Sequence, residues 1–174
     1  REAFQEIDFR RMYGPLSKWV AQIDEAARIP EMVSRAFCVA TAGRPGPVVL
    51  ALPEDMLFET ASVEDVQSYR TARACPSADA METLRSMMSE AKRPLLILGG
   101  GGWDTTTVNN VQSFAERFGL PVVTSFRRQD YFDNAHPLFS GYLGLGIDQK
   151  LVDRVQDADL LLVLGARLGE VSTS

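Results

Sequence analysis

Pro94-Leu95-Leu96-Ile97-Leu98-Gly99-Gly100-Gly101-Gly102 decides how this chain is read. An uncharged apolar run passes directly into four glycines, and an amphipathic stretch follows. Such a run, bounded by turn signals, predicts a strand buried on both faces, as in parallel sheets. Glycines at its carboxyl end permit positive φ and put no side chain between backbone and ligand. In open α/β sheets ligands bind at that end of the strands. Gly99, Gly100 and Gly101 are therefore candidate contacts of a nucleotide or phosphate.

Downstream, Asp104 or Thr105 is placed to cap a helix with Val108, Val111, Phe114, Ala115 and Phe118 facing inward, stopped by Gly119 and Pro121. Leu120 to Thr124 read as the next strand, and residues 126–147 as loop, with glycines at 141, 144 and 146. Asp148 caps a helix showing Leu151, Val152 and Val155, and Leu160 to Leu164 form a third apolar strand ending in Gly165. These spacings predict a doubly wound parallel sheet with right-handed crossovers. Ser125 and Gly165 also end strands, so three small tips share one rim, with N–H donors at the helix starts. Ser125, Gly144, Gly165 and Ala166 join the candidate contacts. Arg167 is placed to pair with a phosphate through its planar fork, or else with Glu170.

Upstream, Ser77 reads as an N-cap for a helix with Ala80, Leu84, Met87, Met88 and Ala91 on its apolar face. Acidic residues with little periodicity, then Arg70, Arg73 and Pro76, read as linker. Val48 to Leu52 form a short buried strand closed by Pro53, preceded by a helix from Pro30 with Val33, Ala36, Phe37 and Ala40 as its stripe and Gly43 past its end. Leu16, Trp19, Val20, Ile23, Ala26 and Ala27 recur at helical spacing and predict another helix; residues 1–14 read as an irregular approach. The expected organisation is the tail of one α/β domain over 1–57, a linker over 58–76, and a second, incomplete domain over 77–174. The opening Arg1 and the close just after a strand suggest a piece of a longer protein.

Catalytic residues are harder to see. The glycine run lacks the third glycine of the dinucleotide fingerprint, and no Gly-Lys-Ser/Thr follows it. His136 is solitary in a loop before Pro137, Asp130 and Asp133 read as solvated loop carboxylates, and nothing has metal-ligand spacing. The net charge of −5, with no cluster of Lys and Arg, argues against nucleic acid or an anionic membrane surface as partner. No apolar run approaches the roughly 18 residues of a membrane span. Cys38 and Cys75 are too few and too far apart for a disulfide framework, and read as idle thiols of a cytoplasmic protein.

Segments from end to end resemble thiamine diphosphate-dependent enzymes of the acetolactate synthase group. Residues 3–18, with Ala-Phe-Gln-Glu and Gly-Pro-Leu-Ser-Lys, resemble a segment of the pyrimidine-binding domain, and Arg44-Pro45-Gly46-Pro47 through Asp55 resembles its end. Ala91-Lys92-Arg93-Pro94 through Gly101 resembles the first strand of the central domain, and Ala158-Asp159-Leu160 through Arg167 a later one. The resemblance implies a three-layer Rossmann-like parallel sheet preceded by the C-terminal part of another α/β domain. It implies an enzyme that uses thiamine diphosphate and Mg2+ on a 2-keto acid and assembles as a homodimer or homotetramer. In such enzymes an upstream glutamate activates the thiazolium, which attacks the keto acid, loses carbon dioxide and passes on the two-carbon unit. Phe4 and Gln5 match positions that lie near the cofactor from the neighbouring subunit, and Lys18 matches a basic residue near the substrate channel; the resemblance makes Gln5 and Lys18 the catalytic candidates.

Leu145-Gly146 stands where flavin-binding members have Met-His, and Leu168-Gly169-Glu170 follows Arg167. That points away from FAD and leaves ADP, or nothing, for the central domain. The glutamate motif and the Gly-Asp-Gly…Asn magnesium motif are not within the chain, so the fragment is expected to be inactive alone. Two alternatives stay open: a lyase on the same scaffold, such as an acyl-CoA or aromatic keto acid decarboxylase, and a non-catalytic nucleotide-binding module.

Overall fold

A computed structural model describes residues 4, 6–72 and 74–170. The chain divides into two compact units, residues 1–75 and 76–174.

In the first unit Asp8 accepts from the amides of Arg10 and Arg11 at 3.0 and 3.2 Å and caps α1 (Phe9–Tyr13). A capped turn thus replaces part of the expected irregular approach. The helix expected from residue 16 is also corrected. A 3-10 turn over Gly14–Leu16 leads into β1 (Trp19–Gln22), which pairs in parallel with β2 (Val48–Ala51). Apolar residues at 19, 20 and 23 satisfy a helical spacing, but pairing with the strand at 48–51 prevails; Trp and Val suit a pleated, half-buried surface. Hydrogen bonds from the Lys18 amide to the Pro47 carbonyl (2.8 Å) and from the Ile23 amide to the Ala51 carbonyl (3.0 Å) extend the ladder at both ends.

Next comes α2 (Ile29–Thr41), with Pro30 in its first turn. It buries Met32 rather than the expected Val33 and Phe37; Phe37 is 50% exposed and stacks on Tyr69 at 5.0 Å. A short α3 (Glu54–Leu57) sends Met56 into a core with Ile23 and Met32. Residues 58–72 are exposed and carry no helix or strand.

In the second unit the Ser77 hydroxyl accepts from the Ala80 amide at 3.1 Å and starts α4 (Ala78–Glu90). Leu84 and Met88 are half-buried there, whereas Ala80 and Met87, expected inward, are exposed. The remaining elements are β3 (Pro94–Leu98), α5 (Thr105–Phe118), β4 (Val122–Ser125), β5 (Phe139–Leu143), α6 (Gln149–Asp157) and β6 (Leu160–Leu164). The strands are all parallel, in the order β5-β4-β3-β6.

Strand alternation sorts the core into two layers. Leu96, Leu98 and Val122 pack with Val111 and Ala115 of α5 on one face. Leu95, Ile97 and Val123 pack with Leu143 and Leu151 on the other. Each such fully buried Leu, Ile or Val contributes about 1.5–3 kcal/mol of transfer free energy.

One expectation changes here. β5 lies inside the segment read as loop; its Ser140-Gly141 centre and the register shift at Val122/Val123 mask its period. β6, the third apolar strand expected, ends the strand order among the described residues, and its Leu161 is 37% exposed. Among the described residues no helix is long and apolar enough to cross a membrane.

Candidate functional site

The carboxyl ends of β3, β4 and β6 bring Gly99, Gly100, Ser125, Gly165 and Ala166 together, and the contact is tight. The Gly99 amide donates to the Leu164 carbonyl at 3.0 Å, so pairing of β3 with β6 runs into the glycines. A Cβ at Gly99 would lie 2.8 Å from the Ala166 Cβ and 2.9 Å from the Ser125 Cβ. Gly100 and Gly165 have φ of +76° and +71°. A Cβ on Gly100 would lie 2.7 Å from the Gly165 carbonyl carbon, and one on Gly165 would lie 2.5 Å from the Gly99 oxygen. Glycine here makes room for neighbouring backbone.

Two aromatic residues that the sequence did not mark complete the rim. The Trp103 indole N–H donates to the Gly99 carbonyl at 2.9 Å, and the Tyr131 hydroxyl donates to the Gly100 carbonyl at 3.0 Å. Their rings stack at 4.9 Å, and the Arg128 guanidinium lies 5.4 Å from the centre of the Tyr131 ring. Adjacency of Trp103 to the glycine run was the available signal; Tyr131 is 31 residues from its partner and gave none.

The helix starts on this rim already hold carboxylates. The Asp104 carboxylate accepts from the Thr107 amide and hydroxyl, both at 2.7 Å, and caps α5. Asp148 accepts from the Lys150 amide at 2.8 Å and caps α6. A diphosphate approaching the α5 start would meet a like charge where the exposed amides of a helix N-terminus would otherwise attract it. Gly101 is exposed with open space around it. Gly144 is buried elsewhere, against the Phe126 ring, 2.7 Å from the position of a Cβ. Arg167 is exposed and makes no ion pair with Glu170 or any other described residue. The tips of β3 and β6 are thus packed directly against each other.

The other candidates lie in the first unit. Phe4 is 92% exposed, and Gln5 lies outside the described residues. The Lys18 ammonium donates to the Ala42 carbonyl at 2.6 Å, at the C-cap of α2, and Gly46 leaves space for its stem. A cation there is favoured by the helix dipole. Among the described residues no group of three His, Cys, Asp or Glu side chains is gathered to hold a metal ion.

His136 is engaged structurally. The Leu138 amide donates to its Nδ1 at 3.2 Å, which leaves the proton of the neutral ring on Nε2, 3.1 Å from Glu116 Oε1. Gln112's amide and then His136 hold the Glu116 carboxyl below its ordinary value. Asp133 accepts from the Ala135 amide at 2.9 Å as a turn residue, and Asp130 is exposed.

Comparison with known proteins bears on this arrangement. Residues 81–174 match the family described as the thiamine pyrophosphate enzyme central domain. The chain is 32% identical, over 97% of its length, to the acetolactate synthase large subunit of Corynebacterium glutamicum, and covers 28% of that protein. It is 29% identical, over 98% of its length, to the sulfoacetaldehyde acetyltransferase of Rhodobacter capsulatus, covering 29% of it. Among solved structures, benzoylformate decarboxylase from Polynucleobacter necessarius superimposes with a TM-score of 0.74 at 31% identity, over 89% of this chain and 29% of that one. The chain thus spans under a third of the length of these proteins. The matched residues make up more than half of the chain, and on that match the chain belongs to the thiamine pyrophosphate enzymes, whose central domain its second unit carries.

Proposed function

We propose that this chain is part of a thiamine diphosphate-dependent 2-keto acid carboligase or decarboxylase of the acetolactate synthase type. Identity to an acetolactate synthase large subunit over 97% of the chain supports this reading most directly. In it, residues 76–174 act as a structural domain, a reading supported by the close packing of Gly99, Gly100 and Gly165 and by the Trp103 and Tyr131 bonds to their carbonyls. Thiamine diphosphate, when bound, supplies the electron sink for decarboxylation. This chain's share is framework, with Lys18 fixing the end of α2. Magnesium, a homo-oligomeric assembly and a cytoplasmic location belong to the same proposal.

A lyase reading is favoured by one observation, the superposition on benzoylformate decarboxylase. The whole protein, loaded with thiamine diphosphate and Mg2+ and given pyruvate, separates the two: acetolactate supports the carboligase, and aldehyde alone supports the lyase. The 174-residue chain by itself is expected to turn over neither.

A further inference from the structure

The exposed segment after α3 carries no helix or strand, yet two contacts hold it to the first unit. Near its start, Glu59 Oε2 accepts from the Ala26 amide at 3.1 Å. Ala26 opens the 3-10 turn (Ala26–Arg28) that runs directly into α2. A carboxylate there satisfies an amide that the helix leaves open, at the positive end of its dipole. Ten residues on, the Tyr69 ring stacks on Phe37 in the third turn of α2, with centroids 5.0 Å apart and planes 10° from parallel. Ala26 and Phe37 are separated by about 16 Å of helical rise, well within the roughly 33 Å that ten extended residues reach.

The sequence of α2 gives it a use for such a segment. Met32 enters the core, while Val33 and Phe37, one turn apart, share a face that the sheet does not cover. Phe37 finds its ring partner in Tyr69 instead. Each contact alone is weak, one a surface hydrogen bond and the other a half-exposed ring pair. A ten-residue tether couples them, because closing one end holds the other near its partner at high effective concentration.

We propose that residues 59–69 form a strap, clipped to α2 at Glu59 and Tyr69 and released as one piece, whose opening bares the Phe37 end of the outward apolar face of α2. The free connection to the second unit then begins after Tyr69 and not at residue 58. This rests on contacts within the first unit alone, and not on the activity proposed above.

Hydrogen exchange at the Ala26 amide, followed by NMR in the 174-residue chain, tests the strap. Tyr69→Ala leaves both partners of the Ala26–Glu59 bond in place, and is expected to speed exchange at Ala26 about fivefold by removing the ring pair at the far end. Tyr69→Phe keeps the ring and leaves that exchange slow. The Ile23 amide, bonded to the Ala51 carbonyl, keeps its native rate in both variants. In the reverse direction, Glu59→Ala weakens the nuclear Overhauser effect between the Tyr69 and Phe37 rings. Unchanged exchange at Ala26 in Tyr69→Ala would show that the two ends open separately, and overturns the proposal. So does equal acceleration at Ala26 and Ile23, since the whole first unit would then be loosening.

Discussion

The indole N–H of Trp103 donates to the carbonyl oxygen of Gly99 at 2.9 Å. With the Tyr131 hydroxyl on the next carbonyl and the two rings stacked, β3 ends in a braced tip. Trp103→Phe keeps a ring but leaves that carbonyl without its donor, and is expected to lower stability by about 1–3 kcal/mol in urea unfolding. Tyr131→Phe should act in the same sense. Because the two residues touch, the double variant should depart from additivity by at least about 0.5 kcal/mol. Strict additivity would show that the brace does not act as one unit.

Adjacent glycines should respond in opposite ways. At Gly100 an alanine meets the Gly165 carbonyl and takes a left-handed φ, so Gly100→Ala is expected to cost about 3 kcal/mol or more. Gly101 has open space, and Gly101→Ala should change stability by no more than about 0.5 kcal/mol. Thermal melts of the two variants compare them directly.

Thr124 is completely buried in β4, and its hydroxyl has no hydrogen-bond partner among the described residues. Thr124→Val replaces the hydroxyl with a methyl of similar size, and is expected to stabilise the chain by about 1 kcal/mol or more. A melting temperature below that of the native chain would mean that the hydroxyl is satisfied in solution.

Asp159 ties the entry of β6 to that of β3, accepting from the amides of Lys92 and Arg93, both at 2.8 Å. Those two bonds hold its carboxyl below its ordinary value of 3.8. A depressed native value means that the stabilisation is present above the unfolded value and is lost as pH falls through the native one. Asp159→Asn should therefore melt below the native chain at pH 7, and the gap should close as the pH is taken below about 4. A gap independent of pH would assign the effect to packing.

Much of this fold was legible before the structure. The runs at 94–98 and 160–164 are apolar and bounded by turn residues, and Ser77, Asp104 and Asp148 announce their helices as caps. The segment around Trp19 was not legible. Its apolar spacing fits a helix, and only a partner strand some 30 residues away makes it β1. β5 was hidden by a glycine at its centre and a register shift against β4.

The candidate site divided in the same way. Its glycines were visible, but their reason was not. Positive φ and freedom from a Cβ serve a ligand or a neighbouring strand equally well, and the Gly99–Gly165 contact is made only once β6 lies beside β3. Trp103 and Tyr131 act through carbonyls of other residues, a relationship that no sequence pattern encodes.

The claim that the tips of β3 and β6 are packed directly against each other is tested most directly by titrating ADP into a Trp19→Phe variant, which leaves Trp103 as the reporter on that rim. No saturable change in its fluorescence is expected. A saturable change at micromolar ADP, abolished by Gly100→Ala, would contradict it.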